Sequence, residues 1–139
     1  VLSGDDLESP SYYYLRRVDG LWRNTRICAS SHQWSSGYLK RASDGALHAY
    51  VLVWDGYLEG GYMDNHGGGR VEEWVSSDDG ETWTKQRDLS PDSEKYAGWR
   101  FNNVQPVVRP NGQPVDDMLI FYGWFDEDLP EAQAFLLHE

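Results

Sequence analysis

The sequence lacks the features on which several common folds and active sites depend. Its single cysteine, Cys28, has no partner in the chain, so disulfides do not hold the fold. No apolar run approaches membrane-spanning length, and we expect no membrane partner. The sequence has no CxxC, HExxH, GxSxG or phosphate-binding glycine loop, which excludes zinc proteases, serine hydrolases of the elbow type and P-loop enzymes. We predict no metal site and no cofactor.

Basic residues are scarce. The chain of 139 residues has 12 Lys and Arg against 23 Asp and Glu, a net charge of −11. This balance opposes binding to DNA, RNA or an anionic membrane, and we expect no nucleic-acid partner. One group of arginines is the local exception, and it is either a solvated hairpin face or an anion contact. It consists of Arg16, Arg17, Arg23 and Arg26.

Helix-forming stretches are missing, whereas aromatic residues make up 14 % of the chain, with seven Trp and nine Tyr. This composition predicts an all-β fold. Asp-Gly and Asn-Gly pairs, which favour tight hairpin turns, separate short apolar or alternating runs. The predicted strands cover residues 12–18, 21–29, 37–42, 46–54, 70–76, 82–89, 103–109, 118–124 and 132–137.

The hairpins repeat weakly along the chain. The turn at Asp19-Gly20 is similar to that at Asp79-Gly80, and the hairpin turning at Asp44-Gly45 is similar to the one at Asn111-Gly112. The copies lie roughly sixty to seventy residues apart, which suits a four-stranded unit with its connections. We interpret residues 1–139 as one all-β segment. It has the end of one unit in 1–30, a complete unit in 31–90 and most of a further unit in 91–139.

The segment from Ser76 to Trp83 has the form S-x-D-x-G-x-T-W. It resembles the Asp box of sialidase-like, BNR-repeat β-propellers. The resemblance implies a partial β-propeller of four-stranded antiparallel blades, with about two blades or slightly more in this chain. The residue types suit a hairpin turn with a buried Trp beneath it, so the box is structural and carries no chemistry. Its residues are Ser76, Asp78, Gly80, Thr82 and Trp83.

A longer arrangement, which includes parts of the box and extends beyond it, is similar to BNR-repeat proteins among polysaccharide-processing enzymes, some of them lyases acting on uronic-acid polymers. Its stretches are 32–39, 68–69, 74–76 and 82–85. The resemblance implies an extracellular or periplasmic, carbohydrate-active protein that cleaves a uronate-containing polysaccharide, with lyase-type elimination slightly ahead of glycoside hydrolysis. Where the lyase-like pattern has a second histidine, this chain has Trp54-Asp55. The alternatives are a non-catalytic glycan-binding propeller and a scaffold without a ligand.

Elimination at a uronate needs a base, an acid and a group that neutralises the carboxylate, and Tyr, His and Arg fit these roles. The candidate catalytic residues are His32, Tyr62, His66 and Arg100, all before or between predicted strands. The candidate substrate-binding residues are Trp34, Asn65, Arg70, Trp99 and Asn102. Structural alternatives stay open, with His32 as a turn-capping or surface residue, Trp99 in the core and Arg100 paired with a nearby Asp.

The predicted strands leave two sheet edges unpaired and two blades incomplete. Open edges and apolar faces tend to associate. We therefore expect that further propeller blades cover these surfaces, or that the chain associates with itself.

Overall fold

A computed structural model describes residues 10–30, 35–53, 68–91, 94–125 and 131–138. Within these residues the chain is all-β and every strand pairing is antiparallel, which confirms the predicted fold class. The strands are β1 (Ser11–Val18), β2 (Leu21–Ala29), β3 (Tyr38–Arg41), β4 (Leu47–Val53), β5 (Arg70–Ser76), β6 (Thr84–Asp88), β7 (Arg100–Val108), β8 (Pro114–Phe125) and β9 (Glu131–His138). A 3-10 turn spans Glu94–Tyr96. The described residues contain no helix long and apolar enough to cross a membrane.

The strands form three sheets, each of which follows chain order. The first sheet is β1-β2, the central sheet is β3-β4-β5-β6 and the third sheet is β7-β8-β9. Each sheet is a simple up-and-down arrangement, because every strand pairs antiparallel with the next strand in the chain. The sheets thus have two, four and three strands, and their arrangement as propeller blades stays a prediction.

The antiparallel pairing gives the sheets two distinct ends. At the turn end lie the tight hairpins, where Val18 pairs with Leu21, Arg41 with Leu47 and Val75 with Thr84. We call the opposite end the connection end, where Val53 pairs with Arg70 and Phe125 with Glu131. Contacts between sheets join like ends, so the three connection ends lie on one side of the molecule.

The three sheets pack face to face in chain order. Alternate residues of β4 point to opposite faces of the central sheet, as the two-residue period of a strand requires. Ala49 and Val51 pack with Cys28 of the first sheet. Tyr50 and Leu52 pack on the other face in a cluster with the third sheet. The central sheet is therefore covered on both faces.

An aromatic group fills the space between the central and third sheets. Phe101 is fully buried and meets the rings of Phe121 and Phe135 at 5.7 and 5.4 Å, in both cases edge to face. Gly123 lies against this group, and a Cβ there would approach a Phe101 ring carbon to 2.7 Å. Burying such rings contributes about 2–3 kcal/mol each, so this group holds the third sheet in place.

The outermost strand of the central sheet is joined to its neighbour by charge as well as by backbone pairing. All five residues of β6 are exposed. On one face of β5, Glu72 is only 7 % exposed; it is ion-paired with Lys85 of β6 and accepts a hydrogen bond from Trp74 Nε1 at 2.9 Å. The two contacts give the buried carboxylate of Glu72 the hydrogen-bond partners that burial requires.

Candidate functional site

The connection end gathers part of the predicted site. Gly69, just before β5, forms a two-way backbone pair with Phe101 of β7, with N to O distances of 3.0 and 2.8 Å. In an antiparallel pair the flanking residues are next in register, so the backbones of Arg70 and Arg100 adjoin, as do those of Gly68 and Asn102. Glycine at this crossing removes the side chain that would stand between the two sheets. Three predicted site residues therefore lie on neighbouring strands at one end.

Arg70 and Arg100 differ in what surrounds them. Arg70 is half-buried and its Nε donates to Asp88 Oδ2 at 3.0 Å, within an ion pair across the central sheet. Arg100 is half-buried at the first position of β7, opposite Trp124 in register. Guanidinium groups bind carboxylates through their N–H donors, as Arg70 does with Asp88.

A chain of hydrogen bonds links all three sheets beside these arginines. Tyr12 of β1 donates to the Ser36 carbonyl at 3.2 Å and accepts from the Leu52 amide at 3.3 Å. Ser36 Oγ in turn donates to Asn103 Oδ1 at 3.4 Å. Burial raises the pKa of the Tyr12 hydroxyl. Tyr12 therefore stays protonated and acts as a strut between sheets.

Two asparagines shape the start of β7. The Asn103 backbone takes a positive φ of 52°, which asparagine tolerates better than most residues. The backbone N–H of Asn103 donates to Asn102 Oδ1 at 2.8 Å. This bond holds the Asn102 side chain through its oxygen, so the side-chain nitrogen is the donor that this bond does not use.

The structure places Trp99 in the core. The ring is 8 % exposed and meets Tyr96 and Phe135 edge to face at 5.2 and 6.2 Å. This position corresponds to the structural alternative for Trp99. The other predicted site residues, His32, Trp34, Tyr62, Asn65 and His66, lie outside the described residues.

The Asp-box turn lies at the turn end, between β5 and β6. Ser76 Oγ donates to Asp78 Oδ1 at 2.7 Å and accepts from the Gly80 amide at 2.8 Å. Thr82 donates to Asp78 through its amide at 2.9 Å and through its hydroxyl at 2.6 Å. These bonds lower the pKa of Asp78 from 3.8 to about 2. The turn is closed by its own side chains, and Trp83 packs at the cluster shared by the first and central sheets.

The Asp-box turn also fastens two sheets together. Gly80 has a φ of +87°, and a Cβ there would come within 2.3 Å of the Tyr14 ring of β1. Asp79 accepts from Arg16 of β1 at 3.1 Å and from Arg41 of β3 at 2.6 Å. The Arg41 hydrogen bond, above all, lowers the pKa of Asp79. The box therefore links the first sheet to the central sheet through Tyr14 and Arg16.

The remaining arginines of the basic group differ in their contacts. Arg17 Nε donates to the Gly20 carbonyl at 3.2 Å and Arg26 Nε donates to Ser11 Oγ at 3.1 Å. Arg17, Arg23 and Arg26 are exposed. Arg16 faces the central sheet in an ion pair with Asp79, whereas the three exposed arginines lie on a hairpin face, which is the first of the two alternatives.

Sequence reasoning missed a buried polar cluster on the central sheet. Glu73 is 3 % exposed and lies 2.8 Å from His48 Nδ1, 2.6 Å from Arg87 Nε and 3.2 Å from the Tyr50 hydroxyl. Burial raises the pKa of Glu73, but the hydrogen bonds from His48 and Arg87 outweigh it and hold the pKa below its usual value. The available signal was the alternation of β5, which places Glu73 on the same face of the sheet as the buried Val71. The cluster joins three strands of the central sheet, because His48 and Tyr50 lie on β4, Glu73 on β5 and Arg87 on β6.

Within the described ranges, no group of three or more His, Cys, Asp and Glu side chains could hold a metal ion. Comparisons of the chain with protein-family models, with curated proteins and with solved structures found no match.

Proposed function

We propose that the protein is a carbohydrate-active β-propeller segment that cleaves a uronate-containing polysaccharide at the connection end of its sheets. The observation that carries this proposal is the Gly69–Phe101 backbone pair, which brings Arg70, Arg100 and Asn102 onto adjoining strands. Two guanidinium groups and an amide side chain, in a protein of net charge −11, give this end local affinity for a carboxylate.

Three observations support the propeller arrangement. The sheets are antiparallel and follow chain order, and consecutive sheets pack face to face. The central sheet has four strands with the Asp box between its third and fourth. A propeller places the loops between blades at one end, where ligands bind, and this is the end at which Arg100 begins β7.

The two buried carboxylates of the central sheet give no support to hydrolysis, and elimination is the route that we propose. Most glycosidases use two carboxyl groups, one on either side of the scissile bond. Glu72 and Glu73 are adjacent in sequence, but they point to opposite faces of β5 and are ion-paired with Lys85 and Arg87. They are unsuited to act as a catalytic pair. In the elimination route Arg100 neutralises the uronate carboxylate, while His32, Tyr62 and His66 are the candidates for proton transfer.

The test is turnover of uronate polymers, followed by the ultraviolet absorbance of the unsaturated product. We expect Arg100→Gln to lower kcat/KM by about 10²-fold, because a preorganised charge donor at the reacting group is lost. Arg100→Lys should recover only part of the activity, since lysine lacks the paired donors. Arg23→Gln, an exposed arginine near the turn end, is the matched control. Equal activity of the Arg100→Gln and Arg23→Gln variants would contradict the proposal.

A non-catalytic glycan-binding propeller is the second candidate. It is favoured by the fact that the described groups at this end are suited to binding, while the tyrosine there, Tyr12, is buried and hydrogen-bonded. In that case the wild-type chain binds acidic polymers without producing unsaturated ends, and Arg100→Gln weakens binding. Calorimetry on a polymer that shows no turnover distinguishes the two functions.

A further inference from the structure

The first and third sheets are the outermost of the three, and each exposes a sheet face with large apolar side chains. In the first sheet, Tyr12, Tyr14 and Arg16 point to the central sheet, so the alternate residues of β1 point away from it. Tyr13 is 44 % exposed and Leu15 57 %. Trp22, opposite Arg17 in register, is 72 % exposed. We call this surface the outer face of the first sheet.

The third sheet has a comparable surface. Leu119 and Phe121 of β8 are buried towards the central sheet. The alternate residues Ile120 and Tyr122 are 41 % and 38 % exposed, and Leu136, the register partner of Ile120, is 61 % exposed. This is the outer face of the third sheet. Side chains of this size rarely cluster on the exposed surface of a monomer.

The two outer faces are opposite in kind. The central sheet uses one face to contact the preceding sheet and the other to contact the following sheet. The outer face of the first sheet corresponds in orientation to the face through which the central sheet contacts its preceding sheet. The outer face of the third sheet corresponds to the face through which the central sheet contacts its following sheet. Each face is therefore suited to the other, and neither is suited to a copy of itself.

Charge at the turn end also bears on this contact. At both sheet interfaces within the chain the preceding sheet supplies a basic residue and the following sheet an acidic one, Arg16 with Asp79 at 3.1 Å and Lys40 with Asp117 at 3.7 Å. At the two outer faces this order is reversed, because the first sheet exposes Arg17 and the third sheet exposes Asp116. The two charges are nonetheless opposite in sign, which favours contact between the two faces.

We propose that the outer face of the first sheet docks onto the outer face of the third sheet of a second copy of this chain. The contact is head to tail, so each copy keeps one free face until the assembly closes as a ring. It continues between chains the face-to-face packing that already joins the sheets within one chain. The apolar anchors are Leu15 and Trp22 on one side and Ile120 and Leu136 on the other.

The test uses two single substitutions and their mixture. Wild-type protein should show a mass above 16.0 kDa that rises with concentration in size-exclusion chromatography with light scattering. Leu15→Asp and Leu136→Asp should each reduce this to the mass of one chain. An equimolar mixture of the two variants retains one intact pair of faces, so it should recover a species of two chains and no larger one. Gln86→Asp, on the exposed strand β6, is the control and should associate like the wild type.

Circular dichroism verifies that each variant is folded, and Ile120→Asp replaces Leu136→Asp if that variant is not. Wild-type protein that is monomeric at every concentration would overturn the proposal. So would a variant pair in which only Leu15→Asp disrupts association, because that result describes two first sheets in contact. If the monomeric wild type binds polygalacturonate and Leu15→Asp weakens that binding, the face belongs to an anionic polymer and the proposal is wrong.

Discussion

The turn end and the connection end of the sheets are built by different kinds of contact. At the turn end, Asp78 closes its own hairpin within a few residues, and longer-range ion pairs from Arg16 and Arg41 are added to a turn already formed. At the connection end, Phe101 pairs with Gly69 and Ser36 bonds to Asn103, all across long sequence separations. Local contacts form at small entropic cost, whereas non-local contacts require that the sheets are already placed. We therefore expect the conformation at the turn end to be set by contacts between residues close in sequence. The conformation at the connection end is set by packing between the sheets.

The largest expected effect comes from Gly80→Ala, which attacks the turn end. The new Cβ would lie within 2.3 Å of the Tyr14 ring at a φ of +87°. Strain and overpacking together should cost about 2–4 kcal/mol of unfolding free energy. Gly20→Ala is the matched control, because its φ is +82° but nothing lies within 4 Å of the added Cβ. It should cost only about 1 kcal/mol, since the strain acts alone. Urea denaturation measures both, and equal losses would show that the contact with Tyr14 is unimportant.

The next effect, Gly123→Ala, attacks the packing next to the connection end. Its Cβ would meet Phe101 at 2.7 Å and Trp99 at 3.1 Å without a positive φ, so the cost is overpacking of about 1–3 kcal/mol. A double variant with Phe101→Leu provides space and should lose less than the sum of the two single variants. Strict additivity in urea denaturation would argue against this account of the close approach.

The smallest expected effect is the pH dependence of stability that the Asp-box turn contributes. The hydrogen bonds from Thr82 and Ser76 lower the pKa of Asp78 from 3.8 to about 2. A carboxylate whose pKa is lower in the folded state stabilises the fold at any pH above its pKa in the unfolded chain. This contribution is lost as the pH falls through the folded-state pKa. Asp78→Asn should thus have a lower Tm than the wild type at pH 5, and the gap should narrow between about pH 4 and 2. Glu94→Gln, at an exposed carboxylate, serves as the control. A gap that stays constant over this range would assign the loss to geometry alone.

The strands were largely predictable because their signals are local. The turns that begin at Asp19, Asp79 and Asn111 flank β1 and β2, β5 and β6, and β7 and β8, and alternation identified the strands on each side. β7 begins at Arg100, three residues before the predicted start. Phe101 is held there by Gly69 and packed against Gly123, two partners that no local pattern indicates.

The candidate site was less predictable than the fold. Trp99 is an aromatic residue in a predicted loop, which suggested that it stacks on a sugar. Aromatic partners distant in sequence, such as Phe135, place it in the core. Glu73 has the signal of an exposed charge, yet it is buried because Arg87 and His48 pair with it from neighbouring strands. Both residues depend on cross-strand neighbours, which hydropathy and spacing do not specify. Arg70 and Arg100 were predicted individually, but the backbone pair that joins their strands was not.

The paired glutamates of β5 have a mechanical consequence. Glu72 and Glu73 lie on opposite faces of the strand and each is bound to a different cation of β6, Lys85 and Arg87. Peeling β6 from the sheet would remove the cation paired with each buried carboxylate, one on each face, and would leave hydrogen bonds from Trp74, His48 and Tyr50 alone. Under a pulling force or during partial unfolding, this strand is therefore expected to rupture as a single event, and to resist the gradual unzipping that exposed border strands usually undergo.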